Sequence, residues 1–158
     1  MKLAGPCLWF DGKAEEAARY YVSIFPNSRI RDIVRYLEGS PGRAGTVMTV
    51  SFDLDGTEFL ALNGGPHFKF TPAISFVVHC KTQPEIDGLW DRLSDGGEIS
   101  QCGWLQDRFG ISWQVVPERL IEMFRGADKA ASQRAFTAML QMRKLDIAQL
   151  EHAYSNAG

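Results

Sequence analysis

Histidine and cysteine are both scarce in this chain, three of each in 158 residues. Cys7, Cys80 and Cys102 are odd in number, far apart and in no C-x-x-C pair, so neither a disulfide frame nor a zinc ribbon is expected. They read as reduced thiols of a cytoplasmic protein. No apolar run approaches the length of a membrane span, and the opening MKLAGPCLWFDG is too short and too polar for a signal peptide. A formal net charge of −2 gives no basic field to gather phosphates, so nucleic acid is not an expected partner. What remains is ordinary for a folded soluble domain: 45% hydrophobic and 23% charged residues.

The apolar residues that are present fall into a repeated order. Leu3 to Phe10 is a short strand-like run, broken by Asp11-Gly12. Ala14, Ala17, Ala18, Tyr21, Ile24 and Phe25 then recur at helical spacing, with Glu15 and Glu16 in the first turn and Pro26-Asn27 as the stop. Strand-like runs follow at Arg29 to Leu37, Thr46 to Leu54 and Thr57 to Asn63. The last two are joined by Asp55-Gly56, a hairpin signal: a two-residue turn there pairs Phe52 with Phe59, and a four-residue turn would change which side chains look inward. The order then restarts. Ala73 to His79 reads as a strand, and Thr82 with Glu85 has capping-box spacing before the stripe Ile86, Leu89, Trp90, Leu93. Gly96-Gly97 ends that helix, and shorter strands are expected at Ile99 to Gln101, Trp104 to Asp107 and Ile111 to Val116.

We therefore expect an α+β fold in a single domain over 1–158: a first β-α-β-β-β module at 1–66, a second at 67–117, and a helical extension at 118–158. In the extension, Ala135, Phe136, Met139, Leu140 and Met142 are expected to form one buried stripe, and Asp146 to cap a last helix bearing Ile147 and Leu150. Packing on the parent domain or a dimer contact would each cover these residues.

Several side chains could carry function. The stretch NGGPHFKF, Asn63 to Phe70, offers two glycines for close backbone approach, one titratable ring at His67 and two aromatic rings at Phe68 and Phe70. It either rims a ligand site or plugs a seam between modules. His67 is a candidate base, yet no carboxylate stands beside it in the sequence to orient it. Trp9 and Trp104 either line a flat apolar pocket or pack beneath helices. Alternation places Cys7 with Trp9 on one strand face, and Gln114 on the face opposite Trp113. Arg29, Arg31 and Arg35 share a face and read as edge-strand protection or as an anion-attracting patch. Asp107-Arg108 makes a turn, or an ion pair at a site's mouth.

Three blocks together, CLWFDGKAEEAARYYVSIFPNS, ALNGGPHFKFTPAISF and CGWLQDRFGISWQVVP, resemble the vicinal oxygen chelate superfamily of glyoxalase, bleomycin-resistance and dioxygenase proteins. The tail AMLQMRKLDIAQLEHAY is similar as well. Within the superfamily the match is to the PhnB-like family, whose members often bear the 3-demethylubiquinone-9 3-methyltransferase name. The resemblance implies a cup-shaped curved sheet built from two modules, commonly completed as a homodimer.

It also implies where a metal would sit in the superfamily's enzymes. Those positions fall near Gly5 to Cys7, at Ala61, near Ala73 to Ser75 and at Gln114, and of these only Gln114 could ligate, through a neutral amide. No metal and no cofactor is expected. The glycine pairs Gly64-Gly65 and Gly96-Gly97 lack the strand-to-helix context of a methyl-donor site. The resulting expectation is a metal-free binder of a small molecule, with Cys7, Trp9, Asn63, His67, Phe68, Phe70, Ser75, Trp104 and Gln114 about the ligand. An enzyme acting on a quinone-like or aromatic molecule is the alternative, with His67 and Gln114 as its candidate catalytic residues.

Overall fold

The computed structural model describes Met1 and residues 3–156; residues 2, 157 and 158, at the outer ends of the expected first module and helical extension, lie outside it. The chain divides into two compact units, Met1–Phe70 and Thr71 onward.

In the first unit the elements run β1 (Cys7–Phe10), α1 (Ala14–Ile24), β2 (Arg29–Arg35), β3 (Val47–Leu54) and β4 (Thr57–Asn63). They form one sheet ordered β1-β4-β3-β2, with β1 parallel to β4 and the other pairs antiparallel. Helix α1 buries Ala14, Ala17, Ala18, Tyr21 and Ile24, and its three alanines let its backbone lie close to the strands. Tyr21 stacks on Phe52 of β3, which fixes the face of the sheet that the helix covers. The hairpin forms as its sequence dictates. Asp55 and Gly56 both take positive φ (44° and 81°), the mirror-image turn whose twist suits two strands. Phe52 pairs with Phe59, and their rings stack at 5.4 Å.

The second unit repeats the order with β5 (Ser75–Cys80), α2 (Gln83–Ser94), β6 (Glu98–Ile99), β7 (Trp104–Gln106) and β8 (Ser112–Pro117). Its sheet runs β5-β8-β7-β6, and β5 lies parallel to β8, so the two units share one topology. The capping box of α2 is complete: Thr82 accepts from the Glu85 amide, and Glu85 accepts from the Thr82 amide. Strand β6 is shorter than its sequence suggests. Ser100 and Gln101 turn back toward Trp104, and Cys102 takes φ 58°, outside strand geometry.

Three helices follow, α3 (Glu118–Arg125), α4 (Lys129–Met139) and α5 (Ile147–Ser155), with Asp128 and Asp146 accepting N-cap hydrogen bonds. Their core is Leu120, Met123, Ala135, Met142, Leu145 and Leu150. The expected single stripe is corrected here. Ala135 and Met142 are buried, but Phe136 and Leu140 stay 41% and 46% exposed. Helix α4 ends at Met139, so Met142 arrives from the following turn while α4 itself buries Ala131 and Ala135. That turn is tied to the sheet end of the unit: the amides of Cys102 and Gly103 donate to the carbonyls of Met142 and Arg143. Gln83 of α2 closes the clamp, donating to the Leu145 carbonyl and accepting from the Ile147 amide. The extension is thus packed on its parent unit. Among the described residues no helix is long and apolar enough to cross a membrane.

Candidate functional site

Alternation along the first sheet separates its residues cleanly. Leu8, Phe10, Val50, Phe52, Leu54, Phe59 and Ala61 are buried on the face that α1 covers. The opposite face carries two rows set by the strand register. One runs Cys7, Leu60, Ser51, Asp32; the next runs Trp9, Leu62, Thr49, Val34. This corrects one assignment: Ala61 looks toward α1, so the β4 side chains on the open face are Leu60 and Leu62. The slip is a single residue, and in a strand one residue reverses the face.

A groove of about 550 Å³ crosses the first of these rows, lined by Pro6, Cys7, Leu60, Ser51, Asp32, Arg31 and Glu58 among others. Burial by the surrounding strand raises the Cys7 thiol above its ordinary pKa although the residue reaches solvent, so it stands as a neutral thiol at pH 7. At the polar end, Arg31 pairs with Glu58 and, at 3.5 Å, with Asp53, and these partners raise its pKa. Arg29 also reaches Asp53, at 3.3 Å. The arginines of this edge strand are therefore largely spent on acidic neighbours.

The loop after β4 is built around Trp9. Its indole Nε1 donates to the Gly65 carbonyl at 2.8 Å, and Phe68 meets it edge-on with ring centroids 4.9 Å apart. A Cβ at Gly64 would lie 2.2 Å from the Trp9 ring, so only glycine lets the backbone rest there. Phe68 remains 66% exposed, while Phe70 turns inward against Phe10 at 5.2 Å. Asn63 is engaged on the covered face: its Oδ1 accepts the first α1 amide, from Ala14, and its Nδ2 donates to the Val47 carbonyl. His67 is exposed.

In the second unit, Ser75, Val77, Gln114 and Trp104 share one face of the sheet, with Val77 and Trp104 the register partners of Gln114 on either side. Gln114 donates through Nε2 to Ser75 Oγ at 2.9 Å. Phe76, Leu105, Trp113 and Val115 occupy the other face. The structure thus brings Cys7, Trp9 and Phe68 together in the first unit, and Ser75, Trp104 and Gln114 together in the second. It leaves Asn63 and Phe70 turned to the first unit's interior.

Asp107, expected from the sequence to make a turn, does so and is also buried. Asp107 is 3% exposed and accepts hydrogen bonds from the Phe109 and Ile111 amides and from Trp113 Nε1. It organises the β7–β8 turn and fixes the buried indole. The D-R-F-G-I spacing, an Asp whose carboxylate can reach amides two and four residues on, carried that signal. Ser51, Asp32 and Leu60 come beside Cys7 only through the pairing of β1 with β4, β4 with β3 and β3 with β2.

These residues fit neither a chelated metal ion nor a methyl donor on a glycine-rich turn. The open face carries the carboxylates of Asp32 and Glu58, but Glu58 is paired with Arg31, and among the described residues no three His, Cys, Asp or Glu side chains converge to hold a metal ion. The glycines that could cradle a methyl donor are filled by protein: Gly64 by the Trp9 ring, and Gly97 by the Gln106 carbonyl and the Asp107 backbone. The first amide of α1 is taken by Asn63.

Residues 2–116 match the model of the 3-demethylubiquinone-9 3-methyltransferase family. The helical extension lies beyond the match, including the tail at 138–154. Among solved structures, a PhnB protein from Bacillus cereus bearing the 3-demethylubiquinone-9 3-methyltransferase name is 40% identical; the alignment covers 74% of this chain and 99% of that one, with a TM-score of 0.67. A Pseudomonas aeruginosa protein is 20% identical over 75% of this chain and 98% of its own, with a TM-score of 0.61. The fosfomycin resistance protein FosX from Listeria monocytogenes is 14% identical over 77% and 97% of the two chains, with a TM-score of 0.52, a likeness of fold alone. No curated protein matches the chain. Two β-α-β-β-β units of one topology, the match over 2–116 and the 40% identical PhnB relative together make this chain a member of the 3-demethylubiquinone-9 3-methyltransferase family.

Proposed function

We propose that this protein binds a small organic molecule with a flat apolar body, without a resident metal or nucleotide cofactor. The observation that carries the reading is the Trp9–Phe68 cluster beside the open apolar row of the first sheet. Trp9 is held at a fixed angle by its hydrogen bond to Gly65 and by the flat contact with Gly64. A rigid indole offers stacking area at little entropic cost, and Phe68, 66% exposed, has ring surface left to cover a ligand. Leu60 and Leu62 continue the apolar floor. Among the described residues no three His, Cys, Asp or Glu side chains converge, and Gln114 is already engaged with Ser75, which supports metal-free binding.

The methyltransferase name of the family points to a quinone-like or aromatic ligand, and the same aromatic surface would receive it. His67 and Gln114 are the side chains an enzymatic version would draw on. Gln114 is a neutral amide and donates no acid–base chemistry.

Titration of the purified chain with a neutral naphthalene such as 1-naphthylmethanol tests the binding reading. Trp9→Ala and Phe68→Ala are each expected to weaken binding at least about tenfold, as the loss of an aromatic anchor implies. Unchanged affinity in both variants refutes it. A native mass spectrum of the purified protein gives the complementary readout: a retained organic mass, no stoichiometric metal, and two subunits are expected.

A further inference from the structure

We propose that the groove beside Cys7 selects an organic cation, an ammonium carried on a flat apolar body; the inference rests on the binding reading above and adds the charge of the ligand. Among the described residues, the charged side chains lining the groove are Arg31, Asp32 and Glu58, two carboxylates and one guanidinium. Arg31 and Glu58 are paired with each other. The remaining carboxylate, Asp32, accepts at Oδ1 from the neighbouring Ile33 amide at 2.9 Å, and no cation pairs with it among the described residues. Asp53, the second partner of Arg31, also faces Arg29, so the adjoining charges offset one another.

The strand register gives this carboxylate its geometry. Asp32, Ser51, Leu60 and Cys7 lie in one row across four strands, and Trp9 with Leu62 stand in the next row of the same face. Neighbours along a strand face are roughly 7 Å apart, about the length of a fused two-ring system. A flat body on Leu60 and Leu62 beside Trp9 would thus present a short amine arm toward Ser51 and Asp32. The groove, about 550 Å³, includes Cys7, Leu60, Ser51 and Asp32 in its lining and takes the amine arm. The flat body extends from Leu60 over Leu62 toward Trp9 in the adjoining row. Cys7, held as a neutral thiol, adds no charge to compete.

The test uses the full ¹⁵N-labelled chain at low ionic strength and pH 7, titrated with three naphthalenes of one shape: 1-naphthylmethylamine, 1-naphthylmethanol and 1-naphthylacetate. The amine is expected to bind about three- to fivefold more tightly than the alcohol, a solvent-exposed ion pair being worth no more, and the carboxylate more weakly than either. Amide shifts should centre on Cys7, Asp32, Ser51 and Leu60. In Asp32→Asn, which keeps the acceptor for Ile33, the preference for the amine should vanish while the affinity for the alcohol stays the same. Equal binding of amine and carboxylate by the native chain, or an amine preference that survives in Asp32→Asn, overturns the inference and leaves the apolar binding reading standing. Failure of all three probes to bind overturns both.

Discussion

At the residue scale, the glycines and the lone buried polar groups explain more than the histidines do. Gly64 reads in sequence as a flexible link. In the structure it is a contact surface, since any side chain there would collide with Trp9 at 2.2 Å. Asp107 is the converse: an ordinary turn residue in sequence, and a nearly fully buried acceptor of three hydrogen bonds in the fold. The cysteines make the prediction at this scale. Burial, with Glu85 and Glu118 nearby, pushes the Cys80 thiol up to about 11 from 9.0. Its folded pKa lies above its unfolded one, so the stability tied to the neutral thiol is fully present below about pH 9 and is lost as pH climbs toward 11. Urea midpoints measured across that window should therefore fall less steeply in Cys80→Ala than in the native chain. Parallel slopes would contradict the assignment.

At the element scale, local signals placed most helices and strands, and a distant one completed α1. Lys13 at its N-cap makes no side-chain cap. The cap is supplied from β4 instead, by Asn63, which also holds a β3 carbonyl. One amide thereby joins three elements. Asn63→Ala is expected to cost about 1–3 kcal/mol in chemical denaturation, because it strands a partly buried amide and carbonyl. Asn63→Asp, able to accept from Ala14 but not to donate to Val47, should lose less. A ligand-contacting role alone would leave both variants as stable as the native chain. The hairpin at Asp55-Gly56 and the capping box of α2 were legible because each is written within four residues. The end of α4 was not, because the apolar spacing from Ala135 to Met142 continues beyond the point where the backbone turns.

At the scale of the whole molecule, the repeat was visible as an order of elements and its identity of topology emerged from the pairings. Both sheets place the first strand parallel to the last and beside it. The helical extension, outside the family match, is bound to its unit by Leu145: the side chain packs in the helical core and against Gly103, and the carbonyl accepts from Gln83. Leu145→Ala should lower stability by about 2–5 kcal/mol in urea denaturation and reduce hydrogen-exchange protection at the Cys102 and Gly103 amides. Full protection at those amides in the variant would show the strap to be held elsewhere.

The sequence alone determined what depends on near neighbours: the strand, helix and turn periods, the local caps at Thr82 and Asp146, and the face shared by Cys7 and Trp9. Tertiary structure decided the rest. Which of Leu60, Ala61 and Leu62 looks outward depends on a parallel pairing between strands at opposite ends of the unit, and one step of register reverses every side chain. The row of Asp32, Ser51, Leu60 and Cys7, and with it the groove, exists only once β2, β3, β4 and β1 are hydrogen-bonded in that order.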